Sequence, residues 1–211
     1  MRHLINMYIQ ADPATALGEL ANIPLTELII ETGIHDAIVR KLNAQGKLSN
    51  KSVAEAIINN VRKTIIRDQL TDPRFYEKMS LLLEDLIKQS RAETLEYKAF
   101  LREAEEVVRR LAEKDLGERA PALLRGMTEA TVLYRNLDSW PTSHLVYPTP
   151  EEARAAPAVK LDRAIREHAP AGWKGDQTRE AKVLNVLYPM LDSDEQATRA
   201  LFDIVKNHPG Y

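Results

Sequence analysis

The chain has 211 residues, of which 44% are hydrophobic and 28% are charged, and its formal net charge is −2. This length suits one domain or two small ones with a hydrophobic core, and the balanced charge argues against a strongly basic nucleic-acid module or an acidic tail. Cysteine is absent, which excludes disulfide bonds, thiolate metal sites and cysteine nucleophiles. No apolar run approaches the roughly 20 residues that span a bilayer, and the N-terminus lacks the apolar core of a signal peptide. These features predict a cytoplasmic protein with no membrane partner.

The first part of the chain, 1–50, is predicted to form short helices. Their expected ranges are 3–10, 13–21 and 24–44, the last with a break at Gly33. The next helix, 51–69, follows from apolar residues that recur every four positions: Val53, Ile57, Val61 and Ile65. Ser52 and Glu55 have the spacing of a capping box and predict where this helix begins.

A long helix is predicted over 73–115. Asp72 before Pro73 gives a capping side chain ahead of a first-turn proline. The apolar stripe runs through Phe75, Met79, Leu82, Leu86, Tyr97, Phe100, Ala104, Val107 and Leu111. Polar residues interrupt this stripe at 89–94, so two helices with a break there are the alternative to one continuous helix.

Further helices are expected over 119–135, 150–167, 176–190 and 194–206. Thr149 and Ser193 are the expected capping residues of the first and last helices of the C-terminal part, 149–211. The loop within 116–148 carries Trp140 and several prolines, and it is expected either to pack on the core or to form a partner surface. The sequence thus predicts an all-α bundle of about 8–10 helices in a single domain, 1–211, built around a long helical hairpin, 51–115.

Known catalytic and cofactor motifs are missing from the sequence. It contains no Gly-x-x-x-x-Gly-Lys-Ser/Thr loop, no Gly-x-Gly-x-x-Gly and no Gly-x-Ser-x-Gly. The five histidines lie far apart, and none has the i, i+4 spacing of a helical zinc pair. Two Glu-x-Lys triplets, at 96–98 and 180–182, lie in helical segments, where residues two apart point away from each other. We expect no catalytic residue, no metal site and no cofactor in this chain.

The helix 51–69 carries a polar face opposite its apolar stripe. Four residues form this face: Asn59, Arg62, Lys63 and Arg67. Asn60 is expected at the edge of the stripe, where it needs a hydrogen-bond partner, because an unsatisfied buried amide costs about 1–3 kcal/mol. A structural role, a protein partner and contact with nucleic-acid phosphate are all open interpretations of this face.

The block 51–83 resembles the C-terminal helical domain of type I restriction enzyme R subunits. The family pattern is "AEAIENNVR", a short linker and "P–YYEKMS–LL". The matching residues here are 54–57, 59–62, Pro73, 76–80 and 82–83. Weaker similarity extends from 25–42 upstream to "YKAFL", "LYRNL", "GWKGD" and the final "VKNHPGY".

The resemblance implies a non-catalytic module that docks an ATP-dependent motor and nuclease onto methyltransferase and specificity subunits. ATP and Mg²⁺ would belong to the parent R subunit, whose motor and nuclease motifs are missing from this sequence. The alternative is a helical element that contacts the DNA backbone of the same complex without sequence preference. The candidate interaction residues are Asn59, Asn60, Arg62, Lys63, Arg67, Tyr76, Trp140 and Trp173.

Overall fold

The computed structural model describes residues 25–38, 49–91, 96–115, 121–137 and 152–211, and these ranges contain helices but no strand. The predicted all-α class is therefore confirmed. The α-helices are α1 (Leu25–Thr32), α2 (Ile34–Ala37), α3 (Asn50–Asp68), α4 (Pro73–Arg91), α5 (Tyr97–Glu113), α6 (Thr128–Leu137), α7 (Glu152–His168), α8 (Gln177–Met190) and α9 (Glu195–Asn207). A short 3-10 helix, Ala122–Leu124, precedes α6.

The chain divides into two compact units. Unit 1 comprises 1–66 and 79–115, and unit 2 comprises 67–78 and 116–211. Helix α4 begins in unit 2 and continues into unit 1. The expectation of a single helical domain over 1–211 stays a prediction.

Helix α3 matches its predicted span to within one residue at each end. Its apolar stripe is buried, with Val53, Ile57, Val61 and Ile65 all at most 4% exposed. The predicted capping residue is wrong: Ser49, and not Ser52, caps the helix. The Ser49 hydroxyl accepts a hydrogen bond from the backbone amide of Ser52 at 3.1 Å. The oxygen at the N-cap satisfies an amide that has no partner inside the helix.

The uninterrupted helix over 73–115 is wrong, and the two-helix alternative is confirmed. Helix α4 ends at Arg91, and Glu96 is extended, with φ −62° and ψ 146°, before α5 begins at Tyr97. Residues from both helices line one groove of about 390 Å³ in unit 1. The polar residues at 89–94 would interrupt the buried seam of a continuous helix, which favours two separate helices.

The buried face of α4 also differs from the predicted stripe. Met79 and Leu86 are buried as expected, but Leu82 is 36% exposed and Leu83 is only 4% exposed. Spacings of three and four both continue a helical stripe, so the periodicity alone permits either leucine to face the core.

The predicted break at Gly33 is confirmed. Gly33 has φ +81° and separates α1 from α2 in unit 1. The Glu105 carboxylate of α5 accepts a hydrogen bond from the Ile34 amide at 3.4 Å. A glycine takes this left-handed conformation without strain, so the turn brings the start of α2 to α5.

The predicted helix over 119–135 is shorter than expected. The described part of this range contains the 3-10 helix and then α6, with Gly126 at φ +77° between them. A left-handed residue ends a helical run, and the helix that follows starts only at Thr128.

Unit 2 has a core formed largely by α6, α7, α8 and α9. Its largest buried cluster comprises Val132, Leu133, Leu137, Ala158, Leu161, Ile165, Trp173, Val183, Leu187, Leu191, Ala197, Leu201, Phe202, Ile204 and Val205. Helix α9 begins one residue later than the predicted Ser193 cap implies, because the Asp194 carboxylate accepts from the Ala197 amide at 2.9 Å. Carboxylates are strong N-caps because they also complement the helix dipole.

A buried polar junction lies at the start of α4 in unit 2. Asp72 is 3% exposed, and its carboxylate accepts from the Phe75 amide at 3.3 Å, which confirms the predicted cap. The same carboxylate accepts from the Asn136 amide group at 2.8 Å and from the Arg135 guanidinium at 3.1 Å. The Asn136 side-chain oxygen accepts in turn from the Arg74 amide at 3.2 Å. These contacts fix α4 to α6 across 64 residues of sequence.

Several sequence predictions lie outside the described residues. They are the helices 3–10 and 13–21, the Thr149 cap, and the loop with Trp140. Among the helices that are described, none is both long and apolar enough to cross a membrane.

Candidate functional site

A groove in unit 1 is lined by several polar side chains that make no hydrogen bond or ion pair within the described residues. Its volume is about 490 Å³, which is within the range of binding pockets in proteins. It is lined by Asn50, Lys51, Ala54, Glu55, Ile58, Asn59 and Arg62 of α3, by Ile87 and Ser90 of α4, and by Tyr97 and Phe100 of α5. We call it the α3–α5 groove.

One wall of the α3–α5 groove is a row of exposed polar residues on α3. The row consists of Lys51, Glu55, Asn59 and Arg62. At 3.6 residues per turn, their positions fall within about 80° of arc, and the row is about 16 Å long. The buried stripe of the same helix occupies a different face, so the row is free to contact solvent or a ligand.

The four side chains of this row make no hydrogen bond or ion pair with any residue that the structure describes. Two other arginines in unit 1 are paired within the chain. Arg109 and Arg110 of α5 contact the Glu106 carboxylate at 2.6 Å and 2.8 Å, and these two guanidinium groups lower the pKa of Glu106, Arg110 being the larger cause. The polar groups of the row therefore remain available for intermolecular contacts.

The rest of the groove is more apolar. Phe100 is buried, and Ile58, Ile87 and Tyr97 are half-buried. Burial raises the pKa of the Tyr97 phenol, so its hydroxyl stays protonated and can donate a hydrogen bond. That hydroxyl has no hydrogen-bond partner among the described residues. The groove thus offers apolar contact area beside charges of both signs, an arrangement suited to recognition.

The structure brings together two of the predicted interaction residues, Asn59 and Arg62. Lys63 and Arg67 are exposed on the same helix as predicted, but neither lines the groove. The Arg67 guanidinium instead contacts the neighbouring Asp68 carboxylate at 2.7 Å. Asn60 is 8% exposed at the edge of the buried stripe, and its amide group donates to the Ala56 carbonyl at 3.0 Å. Asn60 therefore has the hydrogen-bond partner that its position requires, and this partner is a backbone carbonyl of its own helix.

Three of the predicted interaction residues are aromatic, and the structure describes two of them, Tyr76 and Trp173. Tyr76 is 1% exposed and packs edge-on against Phe75, with ring centroids 5.0 Å apart. Trp173 is 4% exposed and packs against Phe202 at 5.7 Å. Both are core side chains with little accessible surface, and their contact with a partner stays a prediction. Trp140 lies outside the described residues.

Sequence reasoning missed Lys51 and Tyr97 as site residues, and it treated Glu55 only as a capping residue. The spacing of 4, 4 and 3 along Lys51, Glu55, Asn59 and Arg62 was a usable signal, because it places all four on one helical face. No sequence pattern indicated that Tyr97 would lie beside this face, since the contact depends on where α5 packs.

Within the described part of the chain, no group of three or more His, Asp or Glu side chains is arranged to hold a metal ion. Comparisons of the chain with family models, with curated proteins and with solved structures give no match. The resemblance to restriction subunits therefore remains a prediction that rests on the residues of block 51–83.

Proposed function

We propose that this chain is a non-catalytic assembly module of a type I restriction enzyme. In this role it would dock the ATP-dependent motor and nuclease of the R subunit onto the methyltransferase and specificity subunits. DNA would be reached only through the assembled complex, and ATP and Mg²⁺ would act elsewhere in the R subunit. The proposal implies a cytoplasmic protein.

The observation that carries the proposal is where the matched residues of block 51–83 lie. Some of them are buried, such as Val61, Tyr76 and Met79, and these have a role in packing. Glu55, Asn59 and Arg62 match the same pattern but are exposed, and they line the α3–α5 groove without partners. Packing gives no reason for these three residue types, whereas a docking surface does.

The direct test is association with a type I methyltransferase–specificity complex from the same organism. We expect the purified 211-residue chain to bind this complex at micromolar concentration or below, as measured by isothermal titration calorimetry, since micromolar affinity corresponds to about −8 kcal/mol. Serum albumin at the same concentration is the control titrant. An absence of binding heat and of co-elution in gel filtration at tens of micromolar would overturn the proposal.

The second candidate function is contact with the DNA backbone. It is favoured by the exposure of Arg62 beside exposed Lys63 on α3. Phosphate contacts would bind duplexes of any sequence and would weaken steeply with added salt. Because the net charge is −2, we expect no gel shift of a 40-base-pair duplex at about 20 mM salt. A shift that Arg62→Gln abolishes would favour this second function over the first.

A further inference from the structure

We propose that the α3–α5 groove binds an α-helix of the partner that presents an acidic, a basic and an acidic residue to Arg62, Glu55 and Lys51. This inference rests on the proposed docking function and adds the chemistry of the occupant. The charges of the polar row alternate along α3, from the Lys51 ammonium through the Glu55 carboxylate to the Arg62 guanidinium. A matching partner must carry the reverse pattern, because like charges brought together at an interface are unfavourable.

The spacing of the row indicates the conformation of the occupant. Lys51 and Glu55 are four residues apart and Glu55 and Arg62 are seven apart, which gives separations along the axis of about 6 Å and 10 Å. Residues four and seven apart also share one face of a partner helix, so a helix alongside α3 can meet all three charges. In an extended strand, the same two separations correspond to about two and about three residues. Because successive side chains of a strand point to opposite faces, one of the three side chains would then point away from α3.

The apolar part of the groove and the Glu55 carboxylate further restrict the class of partner that fits. Ile58, Ile87 and Phe100 offer a surface for an aliphatic or aromatic side chain between the charged contacts, as in other complexes that seat a helix in a groove. Nucleic acid fits less well, because its evenly spaced phosphates would place negative charge against Glu55. The pattern therefore favours a protein helix over a polyanion.

The experiment measures binding of four charge-reversal variants of the full chain to the methyltransferase–specificity complex. They are Lys51→Glu, Glu55→Lys, Arg62→Glu and, as a control on unit 2, Lys182→Glu. Lys182 is exposed and does not line the groove. Circular dichroism and urea unfolding verify that each variant is folded. We expect Kd to rise about tenfold for Lys51→Glu and Arg62→Glu, about fivefold for Glu55→Lys, and less than twofold for Lys182→Glu.

Glu55→Lys separates the proposed helix from a generic anionic partner. A polyanion would bind Glu55→Lys more tightly than the parent, and that result would overturn the inference. Unchanged affinity of all three groove variants would also overturn it, while leaving the docking function intact at another surface. Failure of the parent chain to bind would overturn the docking function, and this inference with it.

Discussion

Replacing Asp72 by alanine is expected to destabilise the protein by about 3 kcal/mol. The change removes the N-cap of α4, which is worth about 1 kcal/mol. It also leaves the buried Asn136 amide group and the half-buried Arg135 guanidinium without their carboxylate partner, and unsatisfied buried polar groups cost about 1–3 kcal/mol each. The free energy of unfolding, measured in urea, gives the magnitude.

The control for this variant is Asp85→Ala on the same helix. Asp85 is exposed and pairs at 3.6 Å with Lys88, which is also exposed. We therefore expect Asp85→Ala to destabilise the protein by less than about 0.5 kcal/mol. The destabilisation by Asp72→Asn should lie between those of Asp72→Ala and Asp85→Ala. The amide oxygen of the new asparagine can still cap α4, but the negative charge that faces Arg135 is lost. Equal unfolding midpoints for Asp72→Ala and Asp85→Ala would show that the buried junction does not stabilise the fold.

The second large effect is expected for Val61→Asp, at about 4 kcal/mol of destabilisation. Val61 is 2% exposed on the buried stripe of α3. A carboxylate there would either lie buried without a partner or be protonated in an apolar environment, and both states are costly. The measurement is the urea midpoint of unfolding, or the loss of cooperative unfolding altogether.

Arg62→Ala is the matched control for Val61→Asp. Arg62 is the adjacent residue, but it is exposed and makes no ion pair within the described residues, so its loss should cost less than about 1 kcal/mol. If Val61→Asp unfolds at the midpoint of the parent, position 61 is not in the core and the assigned face of α3 is incorrect.

Local patterns were enough to predict the fold wherever one helix face is buried along its whole length. The stripe through Val53, Ile57, Val61 and Ile65 predicted α3, and Asp72 with Pro73 predicted the start of α4. The sequence was ambiguous where the apolar stripe became polar after Leu86, so the break between α4 and α5 was predicted only as an alternative. The same limit applies to Leu82, which was predicted to be buried, whereas Leu83 is the buried residue. Spacings of three and four residues are both helical, so periodicity does not distinguish the two.

The candidate site was less predictable, because it depends on contacts distant in sequence. Asn59 and Arg62 could be assigned to a polar face from periodicity alone. That Tyr97 lies beside this face follows from the position of α5, which no local signal specifies. In the same way, the partnership of Asp72 with Asn136 joins residues 64 positions apart, and neither residue is unusual in its own segment.

The most direct test of docking through the α3–α5 groove is site-specific photo-crosslinking to the methyltransferase–specificity complex. A benzoylphenylalanine in place of Asn59 puts the reactive group in the middle of the polar row, and the same amino acid in place of Lys182 is the control. We expect a crosslink to one subunit of the complex from position 59, and none from position 182. A complex that forms but crosslinks from position 182 and not from position 59 would contradict docking through the α3–α5 groove.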